Sequence, residues 1–300
     1  MSESTFGCFG KPSYAWLTTL QRELRPSGRA WADADGIPGF PGSLMSIDTV
    51  AIDDRDLPNS ISLAVLHSIN DIYAAGGEPT SFALSLTLAG RPDLDALMAI
   101  TKSVHAFSNL TTIPVGKVHT SVECHLSRAT VAAVGRLMSN DRLLRRISGE
   151  VWLIDELRSA SEPTPRATPT WVLERLSLRR FATSEISGFK KDVSGDGLAG
   201  AAYQLAVATR CSISLELGSL QSQFAESPLD ACDIDRNYAD YSEKIQGFKG
   251  RDRAWLRGVL FGPQFFGPLI CLGQSDFASH GLPIRKIGTF RQGEVRVSLE

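Results

Sequence analysis

The segment SLAVLHSINDIYAAGGEPTSFALSLTL, residues 62–88, changes its apolar period at a pair of glycines, and that change limits what the chain can fold into. Before the glycines, Leu63, Leu66, Ile69 or Asn70, and Tyr73 recur on helical turns, which predicts a helix ending at Gly76-Gly77. After them, Phe82, Leu84, Leu86 and Leu88 alternate with small polar residues, the period of a strand buried on one face. A helix and a strand that each carry a single apolar face must cover one another. The chain is therefore expected to build an α+β layer with helices on one side of a sheet.

The flanking sequence extends the pattern. A strand is predicted at Leu44 to Ile52, with Asp48 in its middle, where aspartate is disfavoured. Pro92 and Asp93 start a helix carrying Leu94, Leu97, Met98 and Val104 on one face. The turn IPVGKVHTS leads to a strand at Ala129 to Leu137. A prolyl stretch from Ser159 to Thr170 reads as a linker, and the arginines around it, Arg175, Arg179 and Arg180 among them, read as a solvated face. Beyond it, KDVSGDGLAGAAYQLAVA opens a second αβ unit through a glycine-rich turn, SISLEL follows as a strand, and IRKIGTFRQGEVRVSL looks like two short strands about a turn. Three hundred residues with 43% apolar content accommodate two domains. We divide the chain into an opening segment over 1–30, ending in a short amphipathic helix at Tyr14 to Leu24, a first αβ domain over 31–140 and a second over 141–300.

Charge and cysteine usage exclude several classes of function. A net charge of −2 recommends neither a nucleic-acid nor an anionic-membrane partner. No apolar run approaches the roughly 18 residues of a membrane span, and no signal-peptide pattern opens the chain, so a cytoplasmic protein is expected. Five scattered cysteines without CxxC spacing argue against a disulfide framework or a structural zinc. Cys8 is then a free thiol, three residues from Lys11 in the segment GCFGK.

Acidic residues supply the chemistry. Asp33 or Asp35, Asp48, Asp71 and Asp192 each lie at the edge of a regular element or beside small residues, with no basic residue one helical turn away. Oxygen ligands with few histidines or cysteines nearby suit Mg²⁺, which keeps its waters and bridges a few carboxylates to substrate phosphates. DVSGDGLAG adds glycines at a helix N-terminus, where backbone N–H groups can approach phosphate oxygens. Neither GxxxxGK[ST] nor a GxGxxG after a strand is present, so a P-loop and a dinucleotide fingerprint are excluded.

Nearly end to end, these motifs resemble the selenophosphate synthetases (selenide, water dikinases). That family belongs to a superfamily with aminoimidazole ribonucleotide synthetase, thiamine monophosphate kinase and a hydrogenase maturation protein. GCFGK, ADADG, SIDTVAIDD, SINDIYAAGGEP, DVSGDGLAG, DRNYADY and GPQFFG occur in the family's order. The resemblance implies two αβ domains, with the first joining its counterpart into a dimeric β-barrel, and residues 1–30 acting as a flexible lid over ATP. It places Cys8 and Lys11 in catalysis, Asp48, Gly116, Lys117 and His119 at the nucleotide, and Asp33 or Asp35, Asp71 and Asp192 on Mg²⁺. The implied reaction is ATP-dependent phosphorylation of selenide or a similar small nucleophile by a homodimer. VGKVHTS departs from the family's Gly-Gly-His turn at Lys117 and Val118, Phe265 and Phe266 replace small polar residues in the late turn, and Asp196 is an added carboxylate in the second-domain turn, a further ligand or a cap. These departures keep a second expectation open, a non-catalytic nucleotide-binding paralogue acting as a scaffold or regulatory partner.

Overall fold

A computed structural model describes residues 18–19, 23, 33–90, 92, 94–123, 127–138, 148–157, 166–186, 188–221, 231–262, 264, 267–273 and 282–300. The described chain divides into two compact units. One comprises residues 33–138 and 166–185, the other residues 148–157 and 186–300. Among the described residues, no helix is long and apolar enough to cross a membrane.

The first unit holds strands β1 (Asp35–Gly36) and β2 (Ser43–Ala51), helix α1 (Leu57–Ala74), strand β3 (Gly77–Ala89), helix α2 (Leu94–Thr111), and strands β4 (Val115–Glu123) and β5 (Arg128–Leu137). Their sheet order is β1-β2-β5-β3-β4; β3 and β4 run parallel, and the other neighbours run antiparallel. VGKVHTS, read as a turn, is instead most of β4. β3 and β4 are parallel, so α2 serves as the crossover between them, a connection no tight turn could make.

Why α1 is a helix is decided by burial. Ile61, Val65, Ile69 and Ile72 are β-branched and cost about 0.5 kcal/mol each in helix propensity. All four are buried, where each contributes about 1.5–3 kcal/mol, so packing outweighs propensity severalfold. The helix stops where the glycine pair predicts: Ala75 N–H donates to Asp71 O, Gly76 N–H donates to Tyr73 O, and Gly76 takes a φ of +80°. On β3 the inward residues are Phe82, Leu84, Leu86 and Leu88, as the alternation requires. The opposite face of this sheet exposes Met45 and Ile47, with Ile47 66% exposed.

Helix α3 (Pro169–Glu185) belongs to this first unit, although a cut at residue 140 assigns it to the second half. Val172 and Leu176 join the first core. Arg179 Nε donates to Asn70 Oδ1 at 2.6 Å, and Thr183 Oγ1 reaches Tyr73 O at 3.4 Å. Arg179 is thus buried rather than part of a solvated basic face. Its guanidinium satisfies a buried amide of α1, which periodicity along α3 alone does not reveal.

The second unit contains β6 (Ser148–Ile154), β7 (Gly188–Asp192), α4 (Gly197–Thr209), β8 (Cys211–Leu215), α5 (Leu217–Gln221), α6 (Ala231–Tyr241), β9 (Ile245–Gln246), α7 (Ala254–Phe261), β10 (Leu269–Gly273), β11 (Ile284–Gln292) and β12 (Arg296–Leu299). Its sheet order is β7-β10-β6-β11-β8-β12-β9. β11 and β12 are not a hairpin. Both pair with β8, β11 antiparallel and β12 parallel, so β8 lies between two strands that a short turn connects in sequence. Helices α4, α6 and α7 cover one face through Leu198, Leu205, Ile234, Val259 and Phe261, and Cys211 is buried in the same core.

Candidate functional site

In the first unit, two elements direct polar side chains at each other. Inward-facing positions of β2 alternate, so Ser46 and Asp48 share the face toward the helices with Leu44. On α1, His67, Ser68 and Asp71 lie within one helical turn. Ser46 Oγ contacts both carboxylates, Asp71 Oδ2 at 2.7 Å and Asp48 Oδ2 at 3.2 Å. Ser68 Oγ follows at 3.4 Å from Ser46 Oγ and also reaches Val131 O at 3.2 Å. His67 Nε2 stands 3.9 Å from Asp48 Oδ1. Asp71 is 8% exposed, and Asp48 keeps part of its carboxylate in solvent.

Asp35 pairs with Met45, which places it on the sheet face away from the helices and so not at this cluster, and its Oδ1 accepts from Gly36 N–H at 2.7 Å. Asp33 precedes it by two residues and is half-buried. Among the described residues, no group of three or more His, Cys, Asp or Glu side chains is placed to hold a metal ion. The first unit therefore offers two joined carboxylates rather than a complete protein cage. That suits Mg²⁺, which is commonly held by one or two carboxylates with waters and substrate phosphates completing the shell.

Gly116, Lys117 and His119 are not brought to this cluster within their unit. They lie on β4 at the far edge of the sheet, three strand spacings, about 14 Å, from β2. Lys117 pairs with Ala83 and His119 with Ser85, which places both on the sheet face away from the helices. Cys8 and Lys11 lie outside the described residues, as do Phe265 and Phe266.

In the second unit, the turn after β7 is built around Asp192, which is 2% exposed. Val193 N–H donates to Pro268 O, Gly197 N–H donates to Ser194 O, and Gln264 N–H donates to the same carbonyl. Gly197 has a φ of +68° as it opens α4. Gly267 passes so close that an added Cβ would meet Val193 O at 2.1 Å and Asp192 Oδ1 at 2.8 Å. Glycine is required at 267 by this approach.

A second layer holds the turn from behind. Arg236 Nη2 and Asn237 Nδ2 both donate to Gly195 O, at 2.6 and 2.8 Å. Asn237 Nδ2 also donates to Phe261 O at 2.8 Å, while Arg236 Nε and Nη2 donate to Asn237 Oδ1. Asp196 Oδ2 accepts from Gln204 Nε2 at 3.1 Å, and the same amide donates to Tyr241 Oη at 2.9 Å. Asp196 stands at the N-cap position of α4 without a side-chain cap bond, and its carboxylate instead braces the helix two turns on.

The residues that sequence reasoning missed have identifiable signals. Ser46 precedes Asp48 by one strand period, and Ser68 and His67 precede Asp71 by three and four residues, so each belongs to the face its aspartate occupies. Arg236, Asn237 and Tyr241 fall in DRNYADY, a motif whose order along the chain is legible but whose bracing of Gly195 and Gln204 is not.

No protein-family profile matches the chain, and no curated protein does. Solved structures do resemble it. AaThiL complexed with AMPPCP and TMP superposes with a TM-score of 0.67 at 16% identity, over 100% of this chain and 95% of that one. Thiamine monophosphate kinase from Aquifex aeolicus gives 0.62 at 16% identity over 95% and 96%. The hydrogenase maturation protein HypE in complex with ATP gives 0.56 at 16% identity over 95% and 88%. The shared architecture is a two-sheet α+β fold.

Proposed function

We propose that this protein is an ATP-dependent phosphotransferase of the selenophosphate synthetase type, acting with Mg²⁺ on selenide or a related small nucleophile. The observation that carries the reading is the pair Asp48 and Asp71 joined through Ser46, on a fold whose solved examples include complexes with AMPPCP and with ATP. Mg²⁺, when bound, neutralises charge on phosphate oxygens. The chain's own part is to hold carboxylates ready for it. Asp71, anchored by Ser46, is the Mg²⁺ ligand assigned in the first unit together with Asp33 or Asp35 from the β1 side, and Asp48, beside His67, is assigned to the nucleotide; Asp192 is the ligand assigned in the second unit.

Roles on the opening segment rest on resemblance and on chemistry. A Cys8 thiolate would deliver the chalcogen nucleophile, and the Lys11 ammonium would offset charge on the transferring phosphoryl oxygens. Gly116, Lys117 and His119 remain assigned to nucleotide contact. Lys117 and His119 share a sheet face with exposed Met45 and Ile47, so a homodimer joined through that face would place them at its interface. Sedimentation showing only monomer at micromolar concentration would count against this assembly.

Phosphorus NMR of ATP turnover with selenide, with sulfide and without acceptor tests the proposal. Turnover is expected in the wild type, with loss in Lys11→Ala. Retained turnover in Cys8→Ser would redirect the reading to phosphoryl transfer without chalcogen delivery. The placement of Lys117 and His119 away from Asp48 favours one competing reading, a nucleotide-binding paralogue without turnover. A nucleotide-dependent rise in Tm with no ATP consumed under any nucleophile would establish it.

A further inference from the structure

The second sheet has two unlike halves on the face away from its helices. Across β7, β10 and β6 that face carries Leu269, Cys271, Trp152 and Ile154, all buried. Across β11, β8 and β12 it is an open groove of about 460 Å³ in which hydroxyl and charged side chains stand among apolar surface. Such a volume falls in the range of small-molecule sites.

The pairing register orders this floor into rows. In one row Ser148, Arg291, Ser212 and Arg296 stand side by side, because Arg291 pairs with both Ser148 and Ser212, and Ser212 pairs in turn with Arg296. Ile213, Phe290 and Val297 point into the core, so their neighbours in this row point outward. Arg291 and Arg296 therefore flank Ser212 from either side, with Cα atoms about 10 Å apart by two strand spacings. Neither has a carboxylate within ion-pair distance among the described residues.

One row further along are Glu150, Thr289, Ser214 and Ser298. Here the carboxylates are engaged. Glu150 Oε1 lies 3.3 Å from Lys286 Nζ, and Glu300 accepts from Ser214 Oγ, which also meets Ser298 Oγ at 2.9 Å. The groove is thus polarised, cationic along one row and hydroxyl- and carboxylate-lined along the next.

We propose that this groove binds a small phosphomonoester with a polyol body. The phosphate would lie between Arg291 and Arg296, and the hydroxyls of the body along Thr289, Ser214 and Ser298. Two guanidinium forks match a group with three terminal oxygens, whereas a carboxylate supplies only two; the Ser212 hydroxyl between them donates to Arg291 O at 3.2 Å. In the neighbouring row Glu150 is paired with Lys286 and Glu300 with Ser214, so the two arginines with no carboxylate partner among the described residues mark the end of the groove that suits an anion. The groove lies wholly within the second unit.

The test uses the full-length protein with glycerol 3-phosphate as probe and glycerol as control, read by calorimetry and by the arginine Nε–H resonances in NMR. Glycerol 3-phosphate is expected to bind and to shift two Nε–H signals that disappear in R291Q/R296Q, and glycerol is expected to do neither. Affinity should fall by about tenfold or more in R291Q/R296Q and by less in R291K/R296K, which keeps the charge and loses the fork. Thermal melting of both variants checks that the sheet is intact. Equal affinity in the wild type and R291Q/R296Q, or no heat and no shifted Nε–H signal with glycerol 3-phosphate, would overturn the proposal.

Discussion

Asp71 and Asp192 are both buried carboxylates next to small residues, yet the chain holds them by opposite means. Asp71 projects from the last turn of a long buried helix and is met by a strand residue, Ser46, through one short hydrogen bond. Asp192 ends an edge strand, and the turn that follows is fixed by backbone bonds to Pro268 and Gln264 and by side chains from α6. The first site is rigid because its elements are rigid. The second is rigid because segments some 40 to 75 residues later in the chain reach back to hold its carbonyls.

The contrast can be tested from its strongest consequence downward. Asp71→Asn keeps the shape and the Ser46 contact while removing the charge, so kcat/KM for ATP should drop by about 10²–10³-fold with little change in Tm. A large drop in Tm instead would make Asp71 structural. Gly267→Ala should behave in the reverse way. Its methyl would overlap Val193 O, so the second unit should lose about 3 kcal/mol in urea unfolding before any ligand is considered.

Asn237→Ala removes one of two donors to Gly195 O and the donor to Phe261 O. We expect a loss of about 1–2 kcal/mol, seen as a lower urea midpoint, with the apparent Mg²⁺ requirement of turnover raised. The same logic applied to Ser46→Ala, which takes the short donor from the buried Asp71 carboxylate, predicts a loss of about 1–2 kcal/mol in the first unit.

The smallest effect separates site chemistry from surface electrostatics. Arg257 donates to both oxygens of Asp252, and this hydrogen bonding holds the Asp252 carboxyl below its ordinary value. The folded-state pKa is depressed, so the stability it contributes is present above pH 3.8 and is lost as pH falls through the lowered value. Asp252→Asn should therefore cost under about 1 kcal/mol at pH 7, a difference in Tm that closes on acidification.

Legibility in the sequence followed the same division. The helix ending at Gly76, the inward row of β3 and the acids of β2 and α1 are local matters of period and capping, and they stand where the pattern put them. β4 was hidden because VGKVHTS is an exposed edge strand with no apolar alternation to mark it, and glycine, lysine and histidine read as a turn. Helix α3 looked like a charged surface because the amide that receives Arg179 is about a hundred residues away. The strand pair at the end of the chain suggested a hairpin because nothing between β11 and β12 signals that β8 separates them.

What the amino-acid order settled alone was the layer architecture, the position of its acids within their elements, and the exclusion of phosphate-binding loops of other types. Those depend on interactions spanning a few residues, which periodicity records. Tertiary structure alone decided that Ser46 joins Asp48 to Asp71, that Arg236 and Asn237 brace Gly195, and that Arg291 and Arg296 face each other across Ser212. Each of those is a pairing between distant segments, and its geometry exists only once burial of the two cores has fixed the register of the sheets.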